Sequence, residues 1–303
     1  MFLKTDPRSK LASGGAPKVA PATAYAAADY LKFYETEPQE VSATGRSWYG
    51  RGQNFVVIYT EAKEGWTFER KNQIDEYVVM LPEGGAGATF TAADGEKSAP
   101  AASLIIMPPG DSKVRMNGDG RIVIMVTSKA TDLTAKCANA SSYDERQPNI
   151  ADFQPWPEPP AGYKIRVYPI NVPKQEGRLG RIWRCTTFMV NWVEPRIGPR
   201  AITARSPHYH DDFEQCSLLL DGGYTHHLRW PWTSDGGIWR DDNHEYCGSP
   251  SITIIPPRVI HTSSAMAPGK NELVDIFSPP RADLSGKPGW VLNEDEYPLP
   301  GDM

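Results

Sequence analysis

Short runs of apolar and β-branched residues, separated by clusters of glycine, proline and aspartate, extend along the chain from Arg46 onward. In the first half of the chain these runs are Phe55–Tyr59, Tyr77–Leu81, Ser103–Met107 and Ile122–Val126. Residues of this kind at this spacing are typical of β-strands in a sandwich or barrel, whereas βαβ units would place longer helical patterns between the strands. The pattern therefore predicts an all-β fold.

The two halves of the chain repeat one pattern. The segment Glu76–Gly85 aligns without a gap with Glu214–Gly223, and Ser103–Pro109 aligns with Ser251–Pro257. Self-similarity of this kind indicates two units of the same architecture, so we expect two barrels in tandem. Chance similarity between two β-rich stretches is the alternative interpretation.

Composition divides the chain into four parts. Residues 1–43 begin with a stretch rich in Ala, Pro, Gly and Lys and predict an N-terminal extension, either disordered or wrapped on a partner barrel. Residues 44–140 predict the first barrel. Residues 141–177 include the run Pro155–Gly162, whose prolines cannot pair within a sheet, and predict a semi-rigid linker. Residues 178–303 predict the second barrel with a C-terminal tail.

The second half contains a set of potential metal ligands. All six histidines lie at or after residue 208. On an extended strand His208, His210 and Glu214 project from the same face, and His261 follows the apolar run Ser251–Ile255 and a Pro-Pro turn. Three imidazoles and one carboxylate suit a divalent transition metal. The alternative is that His208 and His210 face solvent on an edge strand.

These residues carry a resemblance to a known family. The motifs are His208-x-His210-x-x-x-Glu214, then Gly222-Gly223, and later Pro256-x-x-x-x-His261. This arrangement resembles the two signature motifs of the cupin superfamily, and the resemblance implies two tandem jelly-roll (cupin) barrels with a metal ion held inside the second. The chain departs from the family pattern at Arg258, where cupins usually have glycine, and at Ala265, where they usually have asparagine.

The same alignment predicts that the first barrel lacks a metal site. It places Arg70, Asn72, Glu76 and Lys113 opposite the four predicted ligands. Arginine and lysine are protonated donors at neutral pH and do not ligate metals. A nearby cation is expected to pair with Glu76 instead.

The strand after the Gly222-Gly223 turn supplies further candidates. Strand alternation places Tyr224, His226 and Trp230 on one face and His227 and Arg229 on the other, and the sequence does not decide which face lines the pocket. The candidate catalytic residues are His226, His227 and Arg229, and the candidate substrate-binding residues are Tyr224, Trp230, Trp232 and Arg258. Plain barrel packing for the aromatic residues, and surface positions for the histidines, remain as alternatives.

Charge and cysteine content limit the classes of partner and the cellular compartment that we expect for this protein. A formal net charge of −5 argues against a general nucleic-acid binder, and no apolar run reaches the roughly twenty residues that span a bilayer. The N-terminus lacks an apolar signal-peptide core, and four scattered cysteines do not form a disulfide framework. We expect a cytoplasmic protein with a small-molecule substrate and no nucleic-acid or membrane partner. Because two-barrel cupins commonly pair, we also expect a homodimer.

Three classes of function fit these observations. The expected cofactor is one divalent metal ion, with Fe(II) favoured and Mn, Ni, Cu or Zn possible. The main prediction is an oxygenase acting on a small aromatic or dicarbonyl compound, because the two-barrel form and the predicted ligand set resemble those of the cupin dioxygenases. The alternatives are a metal-dependent isomerase, lyase or decarboxylase acting through an enolate, and a non-catalytic cupin that binds a small molecule.

Overall fold

The computed structural model describes residues 23–173, 175–178 and 180–301. The strands are β1 (Asp29–Lys32), β2 (Glu40–Ser42), β3 (Gly45–Arg51), β4 (Phe55–Ala62), β5 (Thr67–Gln73), β6 (Tyr77–Leu81), β7 (Ala88–Ala92), β8 (Gly95–Ala99), β9 (Ser103–Met107), β10 (Gly110–Met116), β11 (Gly120–Thr127), β12 (Arg166–Pro169), β13 (Gly180–Arg184), β14 (Met189–Val193), β15 (Arg196–Ile197), β16 (Gln215–Asp221), β17 (Gly223–Arg229), β18 (Asn243–Gly248), β19 (Ser251–Ile255), β20 (Ile260–Ala265) and β21 (Lys270–Phe277). The α-helices are the short α1 (Thr131–Thr134) and α2 (Ala282–Ser285). The predicted all-β fold is confirmed. Within the described ranges, neither helix has the length and apolar character that a bilayer crossing requires.

Two sheets form each barrel. In the first barrel a seven-stranded sheet of order β12-β9-β6-β11-β4-β3-β2 faces a four-stranded sheet of order β5-β10-β7-β8. In the second barrel a sheet with the path β1-β19-β16-β21-β14-β13 faces the three-stranded sheet β18-β17-β20. The strand pairs are antiparallel, as expected of jelly-roll barrels.

The sequence repeat is also a structural repeat. In the first barrel β6 pairs with β9 so that Tyr77 lies opposite Met107, and in the second barrel β16 pairs with β19 so that Gln215 lies opposite Ile255. These are equivalent positions of the aligned segments. The two barrels therefore share strand register as well as strand order at their centres.

Each barrel is completed by a strand that precedes the other barrel in the chain. Strand β1, within the predicted extension, pairs with β19 of the second barrel. Strand β12, within the predicted linker, pairs with β9 of the first barrel. The first 22 residues of the predicted extension lie outside the described residues.

The two large sheets pack against each other through one apolar core. Val57 and Met80 of the first barrel contribute to it, together with Val190 and Leu218 of the second. A second apolar cluster fills the inside of the first barrel. The first barrel is thus apolar on both faces of its large sheet.

The interior of the second barrel is polar at positions where the first is apolar. Equivalent cross-strand neighbours are Ile58, Ile124 and Val79 in the first barrel, and Asn191, Asp275 and Ser217 in the second. Polar groups inside a barrel need hydrogen-bond partners or a ligand. The polar residues at these positions therefore indicate that the second barrel is the one that contains a binding site.

The first-barrel counterparts of the predicted ligands have other partners. Arg70 donates to both carboxylate oxygens of Asp132, and the Lys113 ammonium lies 2.8 Å from Glu69. Asn72 is exposed. The carboxylate of Glu76 accepts hydrogen bonds from Thr186 and Tyr297 of the second half, and the nearby cation is Arg166, whose Nη1 lies 3.9 Å from Glu76 Oε1.

Candidate metal centre

Three imidazoles converge at the second barrel, where those of His210 and His261 are buried and that of His208 is exposed. The ligand-capable nitrogens of His208, His210 and His261 lie within 4.8 Å of one another. An isolated antiparallel bridge aligns His208 with His261, through backbone hydrogen bonds of 3.0 and 2.8 Å. Residues far apart in the chain are therefore held side by side by backbone pairing.

Backbone carbonyls set the tautomer of two of these imidazoles. His208 Nδ1 lies 2.9 Å from the Ser206 carbonyl oxygen, and His261 Nδ1 lies 2.8 Å from the Val259 carbonyl oxygen. A carbonyl oxygen only accepts, so each Nδ1 carries the proton and each Nε2 keeps its lone pair. This is the arrangement that a metal-binding histidine needs.

Burial keeps the inner imidazoles neutral. It lowers the pKa of His210 to about 3, with the nearby Arg281 acting in the same direction. Burial likewise lowers the pKa of His261 to about 4. Neutral imidazole is the form that coordinates metal ions, and both side chains are in this form at neutral pH.

Glu214 does not belong to this cluster, contrary to the sequence-based prediction. Its carboxylate faces the first barrel, where it accepts hydrogen bonds from the Tyr143 hydroxyl at 2.6 Å and the Gln53 backbone N–H at 2.7 Å. Burial raises its pKa to about 7. Strand alternation does not place Glu214 beside His208 and His210, because β16 begins only at Gln215 and residues 211–214, which bend at Asp211 and Asp212, are not a strand.

Gln215 occupies the position expected of the carboxylate. Its Oε1 lies 2.9 Å from His210 Nε2 and 3.4 Å from His261 Nε2. Its amide nitrogen donates to Ser217 Oγ at 3.0 Å and to Asp275 Oδ1 at 2.9 Å. Because these acceptors fix the amide nitrogen, the amide oxygen must point towards the imidazoles.

Three imidazole nitrogens and one amide oxygen fit a divalent transition metal. Neighbouring ligands on an ion with bonds of about 2.1 Å are roughly 3 Å apart, close to the separations between Gln215 Oε1 and the two imidazoles. The set suits Mn, Fe, Ni, Cu or Zn. The four ligands are all neutral, so they would not offset the 2+ charge of an ion held here.

A cavity of about 250 Å³ opens onto this cluster. His208, His261 and Gln215 form one part of its wall. Tyr224 and Arg200 are among the side chains that line the rest. A small molecule in this cavity would contact the imidazole cluster directly.

The strand β17 places its candidate residues on two different surfaces. Tyr224 lines the cavity. His226 is fully buried with Nδ1 2.8 Å from Ser263 Oγ, and Trp230 is buried and donates to the Ala26 carbonyl; neither lines the cavity. The inward face predicted by alternation is therefore that of Tyr224, His226 and Trp230.

The remaining candidates lie outside the cavity. His227 faces outward with Nδ1 2.8 Å from His244 Nδ1, and Arg229 is exposed and pairs with Asp242. Trp232 is 77% exposed and stacks on Trp239. Arg258 is exposed and donates to the Asp211 carbonyl. His227 and Arg229 line a second cavity, of about 190 Å³, whose wall also includes His261, whereas neither Trp232 nor Arg258 lines either cavity.

Comparisons with known proteins support the fold. No family model matches the sequence, and no curated protein matches it. Among solved structures, the chain is similar to oxalate decarboxylase of Lactobacillus farciminis in a formate complex, with a TM-score of 0.54 and 12% identity over 83% of this chain and 86% of that one. It is also similar to a variant of Bacillus subtilis oxalate decarboxylase, with a TM-score of 0.55 and 12% identity over 86% and 78% of the two chains.

A third similar structure is AerE from Microcystis aeruginosa, with a TM-score of 0.53 and 9% identity over 85% of this chain and 99% of that one. All three likenesses extend over both barrels of this chain. The chain has a cupin fold. At these identities the likeness concerns the fold, and the chemistry has to be argued from the site.

Sequence reasoning overlooked Gln215 and the cavity arginine, Arg200. One signal for Gln215 was available, because the apolar strand-like run begins directly after it and an extended strand could start there. Arg200 lies in a segment rich in proline, arginine and alanine that has no periodic pattern. Nothing in that segment indicates that it folds over the barrel interior.

Proposed function

We propose that the protein is a metal-dependent cupin enzyme whose second barrel binds one divalent metal ion through His208, His210, His261 and Gln215. We assign it to the class of lyases, decarboxylases and isomerases that stabilise an enolate-like anion. The observation that carries this proposal is the convergence of three imidazoles and one amide oxygen at the wall of a cavity. The likeness to oxalate decarboxylases supports this class.

The charge of the ligand set favours this class over the oxygenases. A metal ion supplies Lewis-acid stabilisation of a developing oxygen anion, and four neutral ligands leave that capacity undiminished. The chain's own residues prepare the site. Ser217 and Asp275 orient the Gln215 amide, and the carbonyls of Ser206 and Val259 orient two imidazoles.

Metal analysis of purified protein tests the ligand assignment. Wild-type protein is expected to hold about one divalent ion per chain. Gln215→Ala and His261→Ala are expected to lower metal affinity at least about 10-fold, since each removes a ligand or its oriented partner. Glu214→Gln is the matched control, because it changes the neighbouring residue and should leave metal content at the wild-type level. Loss of metal in Glu214→Gln but not in Gln215→Ala would overturn the assignment.

The reaction class needs a separate measurement. Metal-loaded protein is screened under nitrogen and under air for carbon dioxide release, isomerisation and oxygen uptake. Turnover that continues without oxygen supports the lyase, decarboxylase and isomerase class. Turnover that requires oxygen would move the protein to the oxygenase class, the second candidate, which the redox metals compatible with this ligand set still permit.

A further inference from the structure

Arg200 is a half-buried cation without a carboxylate partner among the described residues. Its Nη1 donates to the Ser263 carbonyl at 3.0 Å and its Nη2 donates to Ser206 Oγ at 3.0 Å. Its Nε is buried and has no hydrogen-bond partner in the described part of the chain. A half-buried guanidinium with only neutral partners and an unused buried donor is unfavourable unless a ligand completes its contacts.

The other charges around the cavity do not compensate Arg200. Arg196 also lines the cavity, and the described residues offer its guanidinium no ion pair. The Glu194 carboxylate at the cavity wall is paired with Arg181 at 2.7 Å. Arg281 is likewise paired, with Asp283.

The one remaining carboxylate of the cavity, Asp275, is engaged elsewhere. It accepts hydrogen bonds from Gln215 and Ser217. Burial, followed by the charges of Arg196 and Arg205, lowers the pKa of Arg200. The cavity therefore has an excess of positive charge on the wall formed by Arg196 and Arg200.

We propose that this wall is the binding subsite for a carboxylate group of the substrate, with Arg200 as the principal anchor and Arg196 as the second cation. This inference rests on the proposed function, since it names the class of molecule that the metal centre would act on. Guanidinium groups bind carboxylates through paired, charge-assisted hydrogen bonds, and the free Nε of Arg200 is the donor that such a pair requires. The substrate is a small organic acid whose remaining part reaches towards the imidazoles.

The cavity volume limits the size of this acid. About 250 Å³ corresponds to roughly eight water molecules at about 30 Å³ each. Short-chain monocarboxylates and dicarboxylates and single-ring aromatic acids are of this size. Larger conjugates would have to extend out of the cavity.

Binding to metal-free protein isolates the contribution of the arginines, because a bound metal would itself attract carboxylates. The full-length protein is stripped of metal and titrated calorimetrically with acetate, malonate, succinate and benzoate, and with the matched neutral amides of the same acids. At least one acid is expected to bind about 10-fold or more tightly than its amide. Equal affinity for acids and amides, or binding of none of them, would overturn the inference.

Variants then locate the subsite. Arg200→Gln is expected to weaken carboxylate binding about 10- to 100-fold. Arg196 is exposed, so Arg196→Gln should leave the fold intact, and it is expected to weaken binding less than Arg200→Gln does. Arg205→Gln is the matched control, since it removes the same charge from the same segment but does not line the cavity. Unchanged affinity in both Arg200→Gln and Arg196→Gln, or an equal loss in Arg205→Gln, would contradict the assignment.

Metal content measured on the same preparations separates this inference from the proposed function. Full metal loading with no preference for carboxylates refutes the carboxylate subsite and leaves the metal centre intact. Selective carboxylate binding in a protein that takes up no metal refutes the proposed metal-dependent enzyme. The two results cannot be confused, because they come from different titrations.

Discussion

At the scale of single residues, Arg258 has a backbone conformation that glycine adopts freely and arginine does not. Its φ is +65°, and its backbone N–H donates to the carbonyl of His210, so the turn it forms positions one of the three clustered imidazoles. A left-handed conformation costs a residue with a side chain about 1–2 kcal/mol. Cupins usually have glycine here, and in this chain the turn is kept at the expense of strain.

Arg258→Gly is expected to increase the free energy of unfolding by about 0.5–1 kcal/mol, because relief of the strain exceeds the extra chain entropy of glycine. Urea denaturation followed by far-ultraviolet circular dichroism measures the change. Arg258→Ala is the control, since alanine keeps the strain and should give no increase. A glycine variant no more stable than the alanine variant would show that the turn is unstrained.

The same scale shows why the sequence identified three members of the imidazole cluster and chose Glu214 as the fourth candidate, where the structure places Gln215. His208, His210 and His261 are rare residue types in a motif with fixed spacing. The choice between Glu214 and Gln215 depended on where the chain becomes a strand, and a one-residue shift exchanges the two faces. Carboxylate is also the commoner ligand, so residue type favoured the wrong neighbour. Only the non-strand conformation of residues 211–214 decides between them.

At the scale of elements, each barrel contributes a turn that donates a hydrogen bond to a buried carboxylate of the other barrel. The β13–β14 turn presents Thr186 to Glu76, and the β3–β4 turn presents Gln53 to Glu214. A tyrosine hydroxyl completes each site, from Tyr297 in one case and Tyr143 in the other. The aligned glutamates of the two halves therefore have one equivalent role, which is to join the barrels.

Glu76 gives this joint a pH dependence. Burial raises its pKa above the ordinary value of 4.5, so the folded protein holds the proton more tightly than the unfolded chain does. Between the ordinary value and the raised one, stability decreases as pH rises, by at most about 1.4 kcal/mol per pH unit. Glu76→Gln removes this titration, so its unfolding free energy should fall less than that of the wild type as pH increases above about 4.5.

Urea unfolding at a series of pH values from about 4.5 to 8 tests this difference. Glu96→Gln removes an exposed carboxylate of β8 and serves as the control, with a pH profile expected to follow the wild type. Parallel profiles for the wild type and Glu76→Gln would mean that Glu76 stays ionised in the folded protein over the whole range.

The elements that the sequence predicted best are those with strong apolar patterns. Strands β4, β6, β9, β11, β16 and β19 all coincide with predicted apolar runs. Strands β1 and β12 carry no such pattern, because their four residues mix charged, aromatic and apolar types at the edge of a sheet. Their pairing comes from tertiary contact, since each adds to a sheet formed by a distant part of the chain.

At the scale of the whole molecule, exchanged strands and a shared core connect the two barrels, so we expect them to unfold together. Phe33, which follows β1, shows this directly. Its ring stacks on Tyr59 of the first barrel at 5.8 Å, and its backbone N–H donates to the Pro250 carbonyl of the second. A residue in this position contributes to the stability of both barrels at once.

Phe33→Ala is therefore expected to cost about 3–5 kcal/mol, the usual range for a buried phenylalanine, and to destabilise both barrels together. Hydrogen exchange followed by mass spectrometry should show similar acceleration in β11 of the first barrel and β21 of the second, because both open in the same global event. Val41→Ala, at an exposed position of the neighbouring strand β2, should change stability by less than about 0.5 kcal/mol. Acceleration confined to one barrel would mean that the barrels unfold separately and that the exchanged strands do not couple them.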